Sequence, residues 1–194
     1  MTTLKAEKRD MSVKAKKLRR EGFVTGNLFG KNIKGSVPVK IEKKEAERLL
    51  RDNDKGSQIM LEVAGESYDV LIKEIDYDSM KNQVTEIDFQ ALVSGEKVHS
   101  VAEIVLLNKE KVIEGVLEQM LEEVSYRAVP EHLVDKVKID VGDMREGDTL
   151  RVKDLEIAKN KDIEILTDLD AVIVNVLESR KEAEETEETE EAVE

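Results

Sequence analysis

Short runs of alternating apolar and polar residues dominate the first half of the chain. Period-two alternation predicts β-strands. Here it predicts them over residues 2–9, 23–29, 37–41, 58–63, 68–75 and 84–89. Pro38 lies inside the third run, which favours an edge strand or the start of a strand because proline has no N–H to donate to a neighbour.

Residues 42–52 carry the one clear helical pattern. They are rich in Glu, Lys, Ala and Leu, and Ala46, Leu49 and Leu50 share one face of the predicted helix. Residues 10–22 lack any such periodicity and are too polar for a core. We therefore predict a charged loop there, with a short helical turn near residues 15–20.

A break in the pattern at residues 91–97, around Ser94 and Gly95, predicts a domain boundary. Beyond it, strands are predicted over residues 98–107, 122–129, 137–141, 149–152, 163–166 and 171–177. Their close spacing, with turn residues between them, is typical of antiparallel β structure rather than of βαβ units. The predicted fold class is mostly β, with domains at residues 1–92 and 93–178.

Residues 179–194 are a low-complexity acidic segment. A segment of this composition buries too little apolar surface to offset the entropy of ordering its backbone. We predict that it is a disordered tail.

The composition constrains the core and the compartment. Aromatic residues are 3% of the chain and tryptophan is absent, so the cores must be aliphatic. Cysteine is absent, which excludes disulfides and thiolate metal sites and fits a reducing cytosol. No signal-peptide core and no apolar run of about 20 residues is visible, so we expect a cytoplasmic protein that does not enter a membrane.

The distribution of charge is the most informative chemical feature. The formal net charge is -13, yet residues 5–20 hold eight Lys and Arg against only Glu7 and Asp10. We call residues 5–20 the basic segment. A charged run is often only a solvated face, but cations gathered in an otherwise acidic chain indicate a surface for an anion. Nucleic acid is the large anion that such a surface would bind, through its phosphates.

Motifs for catalysis are missing from the sequence. His99 and His132 lie far apart without a neighbouring metal-ligand pattern, so we expect ordinary solvated or hydrogen-bonded histidines. Gly30 and Lys31 are not followed by the Ser or Thr of a phosphate-binding loop. We therefore expect no enzyme activity, no cofactor, no metal site and no small-molecule substrate.

An ordered series of motifs carries a resemblance to a known family. The first half contains KKLRREG, GNLFG, LIKEIDYD and VTEIDF, and the second half contains YRAVPEHL and VKIDVGDMREGDTLRVKDLEI. Together, from Leu4 to about Leu177, they resemble the bacterial family of large-subunit ribosomal protein twenty-five, also known as general stress protein Ctc.

This resemblance implies a fold, a partner and a place in the cell. It implies an N-terminal six-stranded-type β-barrel with one helix that binds 5S ribosomal RNA, followed in the long form by a second, mainly β domain. It also implies a ribosome-associated cytoplasmic protein. Neighbouring large-subunit ribosomal proteins are then the expected partners of the acidic second domain.

The resemblance also implies which residues contact RNA. The matching positions are Arg9 at the end of the first strand, four cations in the loop, an aromatic residue before a glycine, and an aspartate in the last strand of the barrel. In this chain they are Arg9, Lys14, Lys16, Arg19, Arg20, Phe29 and Asp88. Phe29 stands where the family has tyrosine, Glu86 where it has histidine, and Asp76 where it often has glutamine.

The departures at Phe29, Asp76 and Glu86 leave two functions open. Alternation predicts that Ile87 and Phe89 face the core while Glu86 and Asp88 face outward. An ionised carboxylate cannot donate a hydrogen bond and repels phosphate. The chain is then either a structural ribosomal component that binds 5S RNA, or a diverged non-catalytic relative with weak or lost binding that acts as a stress or protein-interaction factor.

Overall fold

The computed structural model describes residues 2–112 and 115–178. Up to residue 91 the elements are β1 (Thr3–Lys8), α1 (Ala15–Arg20), β2 (Phe23–Phe29), β3 (Ser36–Glu42), α2 (Lys43–Leu49), β4 (Gln58–Val63), β5 (Glu66–Asp78) and β6 (Gln83–Ala91). After it come β7 (Val98–Leu107), β8 (Val116–Gln119), β9 (Glu123–Ala128), β10 (Lys136–Asp140), β11 (Thr149–Arg151), α3 (Glu156–Lys159), β12 (Glu164–Ile165) and β13 (Val172–Leu177).

The first six strands close into a barrel. Their order is β1-β3-β2-β6-β5-β4, and β4 pairs in parallel with β1 to complete the ring. Alternation along each strand sends apolar side chains inward, and α2 adds Ala46 and Leu49 to the same core. The core is aliphatic apart from Phe89, as the composition predicts. Its buried strand residues are Leu4, Ala6, Val24, Leu28, Val39, Ile41, Ile59, Leu61, Val63, Val70, Ile72, Ile87, Phe89 and Ala91.

The predicted fold class is confirmed, with differences in detail, among them helix α3, which was not predicted. The helical turn suggested near residues 15–20 is a full helix, α1, so the barrel carries two helices among its described residues. Strand β3 lies between β1 and β2 rather than at an edge. Pro38 is tolerated near its start because the register between β3 and β1 reaches only Val39. Strand β8 was not predicted, because it is short and only weakly alternating.

The chain divides into two compact units. The first comprises residues 1–102 and 127–135, and the second comprises residues 103–126 and 136–194. The domain boundary expected near residue 92 stays a prediction, and the predicted disordered tail lies outside the described residues. None of the described helices is both long and apolar enough to cross a lipid bilayer.

Two sheets occupy the chain after the barrel. One has the strand order β10-β7-β9-β12 and the other the order β11-β13-β8. The antiparallel prediction is wrong for one pair, because β10 and β7 run in parallel. The second unit has its own buried residues, which are mostly aliphatic. They are Ile104, Leu106, Val124, Tyr126, Val137, Val141, Val152, Leu155, Ile163, Ile173, Val174 and Val176.

A close approach between β2 and β6 fixes the barrel wall that also bears the candidate interface. These strands pair in parallel, with Thr25 opposite Glu86 and Leu28 opposite Phe89. Gly26 lies at the closest point, where an added Cβ would sit 1.9 Å from the carbonyl oxygen of Ile87. Only a residue without a Cβ fits there unless the strands separate.

Gly26→Ala should therefore destabilise the barrel. Overpacked cores commonly lose about 1–3 kcal/mol, and a clash with a backbone oxygen belongs at or above the upper end of that range. We expect a loss of roughly 3 kcal/mol in the free energy of unfolding, measured by urea denaturation. Ser36→Ala, on an exposed position of the adjacent strand β3, is the control and should change it by less than about 0.5 kcal/mol. Equal stability of Gly26→Ala and the parent would contradict the close approach.

Candidate nucleic-acid interface

Helix α1 gathers four of the eight cations of the basic segment onto one small element. Leu18 is its buried residue, at 6% exposure, and anchors the helix to the protein. Lys16 and Arg20 lie four residues apart on the side opposite Leu18, and both are exposed. The helix ends because Gly22 adopts a positive φ of 90°, which glycine accommodates without strain.

Several of these cations have no ion pair within the described part of the chain. Lys14, Lys16 and Arg20 are exposed and make neither a salt bridge nor a side-chain hydrogen bond there. Lys17 forms a loose pair with Glu21, at 3.8 Å between Nζ and Oε1. The structure thus brings three predicted contact residues together with their charges available to a ligand.

Arg9 is arranged differently from the other predicted cations. It is half-buried, and its Nη2 donates to the carbonyl oxygen of Val13 at 3.3 Å. Its backbone N–H donates to the carbonyl oxygen of Pro38 at 2.9 Å. Arg9 therefore closes the loop that leads into α1. Its contact with RNA stays a prediction.

The loop after Arg9 is ordered by Asp10. The carboxylate accepts a hydrogen bond from the backbone N–H of Ser12 at 2.8 Å. Hydrogen bonds from Ser12, from its side chain and then from its backbone, hold the pKa of the Asp10 carboxyl below its ordinary value. This contribution to loop order is fully present at a pH above the ordinary pKa of an aspartate. It is lost as the pH falls through the lowered pKa of Asp10.

Arg19 lies against the barrel wall instead of pointing freely to solvent. Its Nε donates to the carbonyl oxygen of Thr85 at 3.1 Å. Its Nη2 donates to Thr25 Oγ1 at 3.3 Å and to Glu86 Oε2 at 3.2 Å. Arg19 and Glu86 therefore form a salt bridge, with their side chains 38% and 30% exposed.

The outer face of β2 and β6 carries the remaining predicted residues. Ile87 and Phe89 are fully buried while Glu86 and Asp88 lie on the other side of β6, so the predicted orientation is confirmed. Asp88 Oδ1 accepts hydrogen bonds from the backbone N–H of Asn27 at 2.9 Å and from its Nδ2 at 3.2 Å. The same Nδ2 donates to Glu86 Oε1 at 3.4 Å.

Phe29 and Asp76 border this network. Phe29 is half-buried at the end of β2, in register with Gln90 of β6. Asp76 is exposed on β5, directly opposite Glu86. Thr25 and Asn27 belong to the same face as Phe29, because alternate residues of a strand share a face. That signal was available in the sequence, but neither residue was predicted to be part of the site.

The pairing of Glu86 with Arg19 revises one expectation. From the sequence, Glu86 appeared as an added negative charge that would repel phosphate. In the structure its charge is offset by a cation at hydrogen-bond distance. As a result, two nitrogen atoms of Arg19, a predicted RNA contact, already donate hydrogen bonds within the protein.

The histidines take part in no arrangement typical of catalysis. His99 Nε2 lies 3.1 Å from Arg127 Nε, which donates to it, and the His99 carbonyl oxygen accepts from Lys73 Nζ at 2.9 Å. His132 ends a single 3-10 turn, Pro130–His132. Across residues 2–112 and 115–178, no group of three or more His, Asp or Glu side chains could hold a metal ion.

Both halves of the chain match models of known protein families. The model of the Ribosomal L25p family matches residues 4–89, and the model of the ribosomal protein TL5 C-terminal domain matches residues 97–180. The chain is 31% identical to the large ribosomal subunit protein bL25 of Finegoldia magna, over 96% of this chain and 90% of that one. The chain belongs to the ribosomal protein L25p family.

Other members of the family are similar over nearly their whole length. The bL25 protein of Dictyoglomus thermophilum is 30% identical, covering 95% of this chain and 93% of its own. That of Thermoanaerobacter sp. strain X514 is 27% identical, covering 94% and 92%. The resemblance found in the motifs is thus confirmed for both halves of the chain.

The anchoring of α1 can be tested through its backbone amides. Leu18→Ala removes the one buried side chain of the helix, and such a truncation costs about 2–5 kcal/mol. If this free energy is lost from the contact between α1 and the rest of the protein, amide hydrogen exchange within the helix should accelerate by about 30-fold or more. Lys17→Ala, at an exposed position of the same helix, should leave the exchange rates within a few-fold of those of the parent protein. Unchanged protection of α1 in Leu18→Ala would show that the barrel does not hold the helix through this residue.

Proposed function

We propose that this protein is a structural component of the large ribosomal subunit and binds 5S ribosomal RNA. The binding surface is α1 together with the outer face of β2, β6 and β5. The observation that carries the proposal is the anchored helix α1, on which Lys16 and Arg20 are exposed and unpaired among the described residues, beside Arg19. Membership of the ribosomal protein L25p family supports the same function.

The partition of charge between the two units supports this assignment. The first unit holds 20 Lys and Arg against 19 Asp and Glu, a net charge of +1, although the whole chain has -13. The surplus of acid therefore lies in the second unit. Only the first unit can approach phosphate closely without strong repulsion, and it does so with α1.

The second unit is proposed to contact protein rather than RNA. Its acidic surplus disfavours a phosphate backbone and suits a basic protein neighbour in the ribosome. This assignment also gives the chain a ribosome-associated location in the cytoplasm.

The alternative of a diverged relative with lost RNA binding is not favoured. It rested on Glu86 and Asp76 as negative charges on the binding face and on the tyrosine hydroxyl that Phe29 lacks. Glu86 is compensated by Arg19, which leaves the exposed Asp76 and the missing hydroxyl at Phe29 as the remaining objections. The cations of α1 do not depend on either residue.

A double substitution on α1 tests the proposal. In Lys16→Gln with Arg20→Gln, two phosphate contacts should be lost. We expect affinity for 5S RNA to fall about 30-fold, at somewhat more than 1 kcal/mol for each contact. The slope of log affinity against log salt should become shallower by about 1.4–1.8, which is the loss for two released counterions. Filter binding across a salt series measures both quantities.

Helix α2 offers a matched control. Lys44 and Arg48 are also exposed, four residues apart, and without an ion pair among the described residues. Lys44→Gln with Arg48→Gln makes the same change in net charge and should lower affinity by no more than about twofold, from the general field alone. Equal losses from both pairs would reject a specific role for α1. Absence of 5S RNA binding by the parent protein would reject the proposed function itself.

A further inference from the structure

The pair of Arg19 and Glu86 leaves specific hydrogen-bonding groups facing outward. Nε and Nη2 of Arg19 donate hydrogen bonds to Thr85, Thr25 and Glu86. No described residue accepts a hydrogen bond from its Nη1. Glu86 accepts one bond at each of its oxygens, whereas an ionised carboxylate offers about four acceptor positions. The exposed part of the pair therefore presents a donor beside free acceptor positions.

Asn27 holds the acceptors in place. Its Nδ2 reaches Glu86 Oε1 at 3.4 Å and Asp88 Oδ1 at 3.2 Å, so it joins the two carboxylates on β6. Its backbone N–H donates a second bond to Asp88 Oδ1 at 2.9 Å. Asp88 Oδ2 has no hydrogen bond from any described residue. Two oriented carboxylates thus face outward beside the cations of α1.

We infer that Glu86, held by Arg19 and Asn27, is a specificity-determining residue that accepts a hydrogen bond from a donor group of the bound RNA. This inference rests on the proposed function. Asn27 is a positioning residue, because it acts on RNA only through the carboxylates it orients.

The chemistry of RNA limits which donors can reach this face. In A-form RNA the accessible groove is the wide, shallow one that displays 2′-hydroxyls and base edges. The base donor there is the amino group of guanine, since adenine and uracil offer only acceptors. We take helical RNA as the bound form, in which the partner of Glu86 is a 2′-hydroxyl or a guanine amino group. A phosphate, which only accepts hydrogen bonds, is excluded as its direct partner.

Accepting a hydrogen bond from RNA and repelling the RNA backbone predict different effects of removing Glu86. If Glu86 only repelled the RNA backbone, its removal would strengthen binding to every RNA, whatever donors the RNA carried. If Glu86 accepts a bond, its removal makes the protein indifferent to one particular donor. The two accounts are separated by asking which RNA groups matter to the parent and no longer matter to the variant.

Nucleotide-analogue interference on 5S RNA makes that measurement. Transcripts carry scattered phosphorothioate-tagged inosine, which lacks the guanine amino group, or tagged 2′-deoxynucleotides. Protein-bound and unbound RNA are then cleaved at the tags and compared. For the parent we expect exclusion at a position where loss of the donor weakens binding by about 10–100-fold, the range for one charge-assisted hydrogen bond.

Glu86→Ala should abolish the exclusion at that position and retain the others. The inosine and 2′-deoxy arms tell which donor is used. Asn27→Ala should reduce the same exclusion, together with any exclusion that depends on Asp88, because its Nδ2 bonds both carboxylates. Glu62→Ala, which removes a carboxylate from β4 elsewhere on the barrel, is the control and should leave the whole map unchanged.

The outcomes separate this inference from the function on which it rests. If the parent protein does not retain 5S RNA, the proposed function fails. If it retains the RNA but shows no inosine or 2′-deoxy exclusion, or if Glu86→Ala gives the parent's map, the role of Glu86 is wrong while 5S binding stands. Loss of a single exclusion in Glu86→Ala supports the inference.

Discussion

The burial of Leu18 is the contact on which the rest of the interface depends. A six-residue helix with four cations is not stable alone, because short helices need tertiary packing to hold them together and like charges four residues apart repel. Leu18 supplies that packing, and α1 lies against β2, the strand whose Gly26 allows the close approach to β6. The cations are thereby gathered on one rigid surface instead of spread over a mobile loop.

Charge is separated within the chain at two scales. Over the whole molecule, the first unit is nearly neutral while the second unit carries the acid. Over a few ångströms, Arg19 is paired with Glu86 while Lys16 and Arg20 have no such partner among the described residues. In the proposed function, attraction to phosphate therefore belongs to the outward side of α1. The paired groups on the barrel wall are better suited to reading particular hydrogen-bonding groups.

Period-two alternation was enough to predict the barrel strands and the opposite faces of Ile87 and Glu86, and the composition was enough to predict an aliphatic core. It could not predict the bond between Arg19 and Glu86, which are 67 residues apart and meet only when α1 docks beside β6. Asn27 was not predicted, because the motif resemblance identified only Phe29 on this face of β2 and the bonds from Asn27 to β6 join residues about 60 positions apart. Strand β8 has four residues, too few for a pattern, and the place of β3 inside the barrel follows from closure, which no local signal reports.

The most direct test of the central claim is to map the amide resonances of the full-length protein as 5S RNA is added. Our account predicts that signals of α1 and of the outer positions of β2 and β6 shift or broaden first, and that those of the strands in the second unit stay in place. Shifts or broadening confined to the second unit, with the α1 signals unaffected, would contradict RNA binding through the docked helix.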